Sequence, residues 1–126
     1  MSGLDCIFDT NALIYIMNGN PCMKPYLNKN VGVSVITEIE LLSFPDIQKE
    51  EEQVIAKLLS NCTIFPIGIS EKEKTIELRR KYRMKLPDAL IAALAVVHGL
   101  PLVTADKGFQ KVEELQISLL DPGEPK

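Results

Sequence analysis

Four acidic residues of this 126-residue chain stand where the sequence leaves a predicted strand or enters a predicted helix: Asp9, Glu40, Asp88 and Asp106. Carboxylates that lie close together repel one another and raise each other's pKa, so a group of four needs a cation to balance its charge. A few oxygen ligands are typical of Mg²⁺ and Mn²⁺ sites. The acids therefore predict a divalent-metal centre, provided that the fold brings them together.

Five short runs rich in apolar and β-branched residues predict strands, over residues 4–8, 31–36, 63–67, 102–104 and 116–120. Apolar residues at helical spacing and capping signals predict helices over residues 12–17, 21–28, 38–42 and 47–59, after residue 70, and over 86–98. Because strands and helices alternate, we predict a three-layer α/β/α fold with a central, mostly parallel sheet of four to five short strands. Ligands of such sheets bind beyond the carboxyl ends of the strands, where all four acids fall.

Signals at the helix ends support these boundaries. Thr37 with Glu40, and Ser70 with Glu73, have the spacing of a capping box, in which a Ser or Thr cap precedes Glu by three residues. The helix over 86–98 is followed by Gly99 and then by a proline, which is the expected stop.

Each acid also has a purely structural interpretation. Asp9 is suited to cap the helix that follows it, and Glu40 is suited to pair with a Thr37 cap. Asp88 complements the dipole of its helix, and Asp106 is a common turn residue. Taken singly, these interpretations are as good as the chemical ones. The position of all four acids at one end of the sheet favours a shared site.

Four motifs contain these acids: Ile-Phe-Asp-Thr-Asn at residues 7–11, Ser-Val-Ile-Thr-Glu-Ile-Glu-Leu-Leu at 34–42, Leu-Pro-Asp-Ala-Leu-Ile-Ala-Ala at 86–93 and Leu-Val-Thr-Ala-Asp-Lys-Gly-Phe at 102–109. In this order and spacing, the chain resembles the PIN-domain ribonucleases, and most closely the VapC toxins of type II toxin–antitoxin systems. The resemblance covers nearly the whole chain and implies a PIN-like fold. It selects Glu40 over Glu38 as the second acid, and on a helix these two side chains point about 200° apart.

The resemblance implies a Mg²⁺-dependent endoribonuclease, with Mn²⁺ as a possible substitute, that leaves a 5′-phosphate and a 3′-hydroxyl. Asp9 and Asp88 are then the first choice as metal ligands and catalytic residues, and Glu40 and Asp106 complete the metal site directly or through water. Hydrogen bonds that orient these carboxylates are expected from Thr10, Asn11 and Thr104. The implied partners are an RNA substrate, a cognate antitoxin protein and a second copy of the chain in a homodimer, with no membrane.

The chain departs from the family pattern at three places. Ser43 and Phe44 stand where Tyr-Gly often follows the second motif, and Ala105 and Gly108 replace an Asn and a further acid that usually flank Asp106. The four main acids are intact, but the number of metal ions that they would hold stays open.

Positive charge is concentrated just before Asp88. The chain has 14 basic and 17 acidic residues, a net charge of −3, yet half of the basic residues fall between positions 72 and 85. This run predicts that Arg79, Arg80 and Arg83 bind the phosphates on either side of the cleaved bond. An equally good alternative is a solvated helix face in which nearby glutamates pair with these cations.

Length and composition bound the remaining possibilities. We predict one domain over residues 1–120 and a polar tail over 121–126. No uncharged stretch approaches the roughly 20 residues of a membrane span, and no leader pattern is visible, which predicts a cytoplasmic protein. Three cysteines without Cys-x-x-Cys spacing argue against disulfides and zinc. We interpret His98, the single histidine, as a helix-end residue.

Two other functions remain possible from the residues. A phosphatase or phosphotransferase would use Asp9 as its nucleophile, but such sites commonly need a second acid where this chain has Asn11. A binding module would keep the PIN fold and sequester an antitoxin with little nuclease activity. The four acids argue against this module, whereas Ala105 and Gly108 leave it open.

Overall fold

A computed structural model describes residues 3–123, and the last three residues of the predicted tail lie outside this range. Its centre is one sheet of five strands: β1 (Cys6–Phe8), β2 (Val31–Ser34), β3 (Thr63–Phe65), β4 (Leu102–Thr104) and β5 (Ile117–Leu119). The strand order is β3-β2-β1-β4-β5, and all four neighbouring pairs run parallel. The predicted parallel sheet is confirmed.

Five α-helices connect the strands: α1 (Thr10–Met17), α2 (Val35–Leu42), α3 (Lys49–Ser60), α4 (Ile69–Tyr82) and α5 (Leu86–His98). Two short 3₁₀ helices cover Pro21–Tyr26 and Lys107–Lys111. The first of these is the predicted helix over 21–28, wound as a 3₁₀ helix that contains Pro25, which has no backbone N–H to donate. Gly99 ends α5 in the left-handed conformation with φ of 65°, as the glycine predicts.

Successive side chains of the central strands pack alternately into two hydrophobic cores, one on each face of the sheet. Ile7 and Leu102 point into a core formed with the buried faces of α4 and α5. Phe8 and Val103 point into the opposite core, which is formed with α1, α3 and the first 3₁₀ helix. Helices therefore cover both faces, and the predicted three-layer α/β/α architecture is confirmed.

Two helices begin earlier than their capping patterns predict. Ser34 caps α2, since its hydroxyl accepts a hydrogen bond of 3.1 Å from the backbone N–H of Ile36. Thr37 is fully buried within that helix, so its prediction as a cap is wrong. Its hydroxyl lies 3.1 Å from the hydroxyl of Thr10 in α1, and this tertiary contact takes the place of a capping role.

The start of α4 is likewise shifted by two residues. The side chain of Glu71, rather than Glu73, reaches back to the first turn and accepts a hydrogen bond of 3.2 Å from the backbone N–H of Gly68. Ser70 therefore lies inside the helix, and its prediction as the cap is wrong. Because a glycine without a polar side chain precedes the helix, the sequence pattern points to the wrong residue.

The turn between α4 and α5 sets the positions of the basic residues. α4 ends at Tyr82, and Arg83 follows it in the left-handed conformation with φ of 55°. The Nε of Arg79 donates a hydrogen bond of 3.2 Å to the backbone oxygen of Met84 and so braces this turn. The spacing of four residues between Arg79 and Arg83 predicts that they share one face of a helix, and this prediction is wrong because α4 ends at Tyr82, before Arg83.

Two smaller expectations also have outcomes. The three cysteines are free thiols, as their spacing predicts. The ring of His98 packs against Phe65 at 4.5 Å between ring centroids, and its Nε2 lies 3.9 Å from a carboxylate oxygen of Glu71. This histidine joins the end of α5 to the start of α4.

No helix within residues 3–123 is both long and apolar enough to cross a membrane.

Candidate active site

The candidate site lies where the strand order of the sheet reverses. From β1, the strands β2 and β3 follow one another toward one edge of the sheet. The chain then crosses to the other side of β1, where it forms β4 and β5. The carboxyl ends of β1 and β4 therefore open a crevice between the connections that leave them, which is the usual ligand position in such sheets. Asp9 directly follows β1, and Asp106 lies two residues after β4.

Asp9 is buried and held by two hydrogen bonds. Its Oδ1 accepts one of 2.9 Å from the backbone N–H of Ala12, so it caps α1. Its Oδ2 accepts one of 2.5 Å from the hydroxyl of Thr104 at the end of β4. Burial raises the pKa of Asp9 above its ordinary value; the two hydrogen bonds lower it, and Asp106 and Asp88 raise it further. Asp9 therefore does cap α1, but its hydrogen bonds do not offset the rise in pKa that burial causes.

Thr104 also fixes the position of the second acid at this crevice. Its hydroxyl oxygen accepts a hydrogen bond of 3.0 Å from the backbone N–H of Asp106. Asp106 in turn caps the 3₁₀ helix after β4, since its Oδ1 accepts a bond of 2.8 Å from the N–H of Gly108. One buried threonine therefore connects the two acids across the strands β1 and β4.

Glu40 enters the site from α2 through contacts with α1. The hydroxyl of Thr10 donates a hydrogen bond of 2.6 Å to Oε1 of Glu40. The hydroxyl of the buried Thr37 lies 3.1 Å from that of Thr10, and each can donate to only one partner, which leaves Thr37 as the donor between them. Thr37 precedes Glu40 by three residues, so both lie on the same side of the helix.

Asp88 lies in the first turn of α5 and completes the group. Burial raises its pKa above the ordinary value, and the charges of Asp106 and Glu40 raise it further. Lys85 and Lys111 act in the opposite direction and lower it. Carboxylates from two helices and two strand connections are therefore close enough to influence each other's ionisation.

These four acids line one cavity of about 230 Å³, which we call the acid cavity; its wall is Asp9, Thr10, Asn11, Ile14, Glu40, Phe44, Asp88, Ile91, Asp106 and Phe109. The alternative acid Glu38 is not part of this wall. Asn11 is exposed at the cavity, whereas Thr104 lies buried beneath it.

A neighbouring cavity of about 280 Å³ shares Asp88, Asp106 and Phe109 with the acid cavity and adds cationic side chains, so we call it the cationic cavity. Its other lining residues are Arg83, Met84, Lys85, Gly108 and Lys111. Of the three arginines that the sequence singles out, only Arg83 is in this wall; Arg79 and Arg80 line neither cavity.

Sequence reasoning missed four residues of these walls or their support: Thr37, Phe44, Lys85 and Lys111. Lys85 had a visible signal, because it belongs to the basic run and lies three residues before Asp88. Phe44 was noted only as a departure from the family pattern, yet its ring is 57% exposed beside four acids. Lys111 is distant in sequence from Arg83 and Lys85, the other basic residues of the cationic cavity, and only the fold reveals its position.

The donor chemistry of the acid cavity suits a hard divalent cation. All its polar lining side chains are carboxylates, a hydroxyl or an amide, and burial, followed by repulsion from neighbouring acids, raises the pKa of Asp9 and of Asp88. Within residues 3–123, however, no three acidic, histidine or cysteine side chains stand close enough to form a ready-made metal cage. An ion held by these residues would keep several of its own waters, as Mg²⁺ does.

Comparison with known proteins identifies the family. Residues 6–115 match the sequence profile of the PIN domain. The chain belongs to the PIN-domain family. The family resemblance inferred from the four motifs is thereby confirmed, and this PIN domain includes all four acids of the acid cavity.

Solved structures with the same fold come from toxin–antitoxin complexes. A chain of a toxin–antitoxin complex from Klebsiella pneumoniae is 31% identical over 96% of this chain and 100% of that one, with a TM-score of 0.79. Chains of DNA-bound VapBC from Salmonella typhimurium (20% identity, 91% of this chain, 97% of that one, TM-score 0.82) and of VapBC2 from Rickettsia felis (21%, 94%, 100%, 0.80) share the fold. No curated protein shows significant sequence similarity to this chain.

Proposed function

We propose that this PIN domain is a metal-dependent endoribonuclease and the toxin of a toxin–antitoxin pair. The observation that carries the nuclease proposal is the convergence of Asp9, Glu40, Asp88 and Asp106 on one cavity at the reversal point of the sheet. Four carboxylates with no cation among their lining partners form a site for positive charge, and a divalent metal ion that also binds the anionic phosphodiester would supply that charge.

The proposed roles follow from the contacts of each acid. Asp9 and Asp88 would hold Mg²⁺, or Mn²⁺ in its place, and Glu40 and Asp106 would complete the site directly or through water. Bound there, the ion would supply Lewis-acid activation of the phosphate and of the attacking water. Thr104 orients Asp9, and Thr10 orients Glu40. Asn11 is exposed in the wall of the acid cavity, and its amide would orient a carboxylate there.

The toxin part of the proposal rests on the relatives. The 31% identical chain belongs to a toxin–antitoxin complex, and the similarity spans that entire chain. An antitoxin is therefore the protein partner that we propose, together with RNA as the substrate. A homodimer, a location in the cytoplasm and a single domain over residues 1–120 remain predictions of the same proposal.

A cleavage assay with purified variants tests the nuclease proposal. Asp9→Asn and Asp88→Asn keep the shape of each side chain but remove a negative charge, so we expect at least a 100-fold loss of RNA cleavage in Mg²⁺. Wild-type cleavage should stop in EDTA and return with Mg²⁺ or Mn²⁺. Products with a 5′-phosphate identify hydrolysis by an activated water. Cleavage at the wild-type rate by either variant would contradict the assignment.

One alternative retains support from a specific observation. The absence of a ready-made metal cage within residues 3–123, together with Ala105 and Gly108 in place of the usual flanking residues, favours a binding module that captures an antitoxin without cutting RNA. The same assay separates the two functions, because a binding module leaves RNA intact in every metal tested while still forming a complex with its partner.

A further inference from the structure

The cationic cavity continues directly from the acid cavity but has the opposite charge balance. It contains three cationic side chains, Arg83, Lys85 and Lys111, and the two carboxylates that both cavities share. The acid cavity contains four carboxylates and no cation. An elongated anion that reaches from one cavity into the other would therefore face carboxylates in the acid cavity and cationic side chains in the cationic cavity.

The three cations have no carboxylate partner within 4.0 Å among residues 3–123. The ion pairs found in that range join other residues: Lys74 with Glu77, Lys81 with Glu114, and His98 with Glu71. Two residues of the basic run, Lys74 and Lys81, are thus engaged in ion pairs, whereas Arg83 and Lys85 are not. Lys85 and Lys111 attract Asp88 at longer range, and cations gathered in one concave wall without a close ion pair are an anion-binding arrangement.

Gly108 adds neither a side chain nor a charge to this wall. The cationic cavity therefore keeps three cationic side chains against two carboxylates. The glycine here donates its backbone N–H to Oδ1 of Asp106 at 2.8 Å, and a Cβ atom at this position would lie 3.0 Å from that same oxygen. Any side chain would therefore crowd Asp106, and its absence leaves the cavity open to an anion.

Arg83 is held toward this cavity in a conformation that costs free energy. Its φ of 55° is in the left-handed region, which is the position after a helix where glycine is usually found. Non-glycine residues adopt this region only at a cost in free energy. A residue kept there despite the cost is expected to gain something elsewhere, and a guanidinium group offers paired hydrogen bonds to phosphate oxygens.

We propose that Arg83, Lys85 and Lys111 form the binding site for a phosphate that neighbours the cleaved one in the RNA strand. This inference rests on the proposed nuclease function and adds the path of the RNA. The RNA would cross from the acid cavity over Asp88 and Asp106 into the cationic cavity. Arg79 and Arg80 lie outside this path, because neither lines a cavity and Arg79 is bonded to Met84.

The test compares two double variants in an Asp9→Asn background, which leaves the RNA uncut and the cationic cavity unaltered. Lys85→Ala with Lys111→Ala removes two cations from the cavity; Lys49→Ala with Lys57→Ala removes the same charge from α3, which lines neither cavity. All four lysines are exposed, and Lys85 caps α5 through its backbone alone, so both variants should fold.

The readout is the affinity for a single-stranded RNA oligonucleotide, measured in Mg²⁺ over a range of KCl concentrations. Each phosphate contact on a single strand contributes about 0.7 to the slope of log K against log salt. Because the site holds one phosphate, the cavity variant should lose up to about 0.7 from the slope, whereas the α3 variant should keep the parent slope.

The possible outcomes separate this site from the nuclease proposal. Equal slopes for the cavity and α3 variants would overturn the phosphate site, even if the wild-type chain cleaves RNA. If the wild-type chain does not cleave RNA but the cavity variant alone loses slope, the phosphate site stands and the nuclease assignment fails. RNA that does not bind to the parent at any salt concentration would overturn the site.

Discussion

At the scale of single residues, the acids combine structural and chemical roles that sequence analysis treats as alternatives. Asp9 caps α1 and lines the acid cavity, and Asp106 caps the 3₁₀ helix and lines the same cavity. A carboxylate has two oxygens and about four acceptor positions, so one backbone bond leaves acceptors for another ligand. The cap holds the carboxylate in place before any ligand arrives.

The raised pKa of Asp88 gives a prediction about stability. Since burial and neighbouring acids raise its pKa in the folded state, the folded protein binds this proton more tightly than the unfolded chain. Stability therefore falls as pH rises from the ordinary pKa of an aspartate through the raised value. Asp88→Asn removes this loss, so we expect a higher melting temperature than wild type at pH 7, without metal, and a smaller difference at pH 4.

Thermal unfolding with EDTA checks this expectation, and Mg²⁺ provides its control. A ligand that binds only the folded state raises the melting temperature, so Mg²⁺ should stabilise the wild type more than Asp88→Asn. A variant that is less stable than wild type at pH 7 in EDTA would show that the Asp88 carboxylate is not repelled by its neighbours.

A second residue-scale prediction distinguishes Glu40 from Glu38. Gln at position 40 still accepts the hydrogen bond from Thr10, so Glu40→Gln should preserve the fold and remove one charge from the acid cavity. We expect RNA cleavage to fall at least about tenfold in Glu40→Gln and to stay near the wild-type rate in Glu38→Gln. A larger loss from Glu38→Gln, measured under the same conditions, would reverse the choice of acid.

At the scale of elements, the site depends on contacts between pieces that are distant in sequence. Thr104 at the end of β4 bonds to Asp9 after β1, and Thr10 of α1 bonds to Glu40 of α2. Parallel pairing of β1 with β4 in the register Phe8 with Val103 brings the first pair together. The turn from α4 to α5 then sets the position of Arg83 beside Asp88.

This turn gives an element-scale prediction that separates backbone strain from charge. Arg83→Gly relieves the left-handed conformation, and we expect a gain in stability of about 1 kcal/mol, or roughly 4 °C in melting temperature. Arg83→Ala keeps the strain and should give no such gain. Because both variants lose the guanidinium group, both should bind RNA more weakly, by a similar factor. Thermal unfolding and RNA titration of the pair check this; unequal losses of RNA affinity would contradict it.

At the scale of the whole molecule, the protein has net charge −3 and places Arg83, Lys85 and Lys111 beside two of its site acids. Such a distribution discourages general binding of nucleic acid and confines attraction to one surface. The remaining exposed surface includes large apolar side chains on several elements, among them Leu27, Ile39, Ile69 and Leu86. Exposed apolar residues in this number leave room for a protein partner.

The proposed toxin activity gives a whole-molecule prediction. Induced expression of the wild-type chain alone should slow bacterial growth, and co-expression of its cognate antitoxin should restore it. Asp9→Asn, expressed to the same level, should have no effect on growth, because it lacks nuclease activity but keeps the fold. Growth curves and immunoblots of soluble protein provide the measurement. Unaffected growth at high levels of soluble wild-type protein would argue against a toxin.

The sequence by itself determined the order of the elements and the four acids. Apolar runs and Gly99 locate the strands and the end of α5, because burial and backbone conformation are local requirements that leave a clear pattern. The alternation of strands and helices then implies a parallel sheet, and a parallel sheet gathers the carboxyl ends of its strands on one edge. The acids could be placed together on this argument alone.

Only the tertiary structure decided how these acids are supported and what lies beside them. Thr37 was misjudged because its hydroxyl serves a contact between α2 and α1, and Gly68 was missed because a glycine cap carries no polar side chain to mark it. The basic run was divided by a left-handed residue that no local signal marks, so Arg83 reaches the cavity whereas Arg79 braces the turn. Lys111 joins Arg83 and Lys85 through the packing of the 3₁₀ helix beside α5, a contact between distant segments that spacing along the chain does not encode.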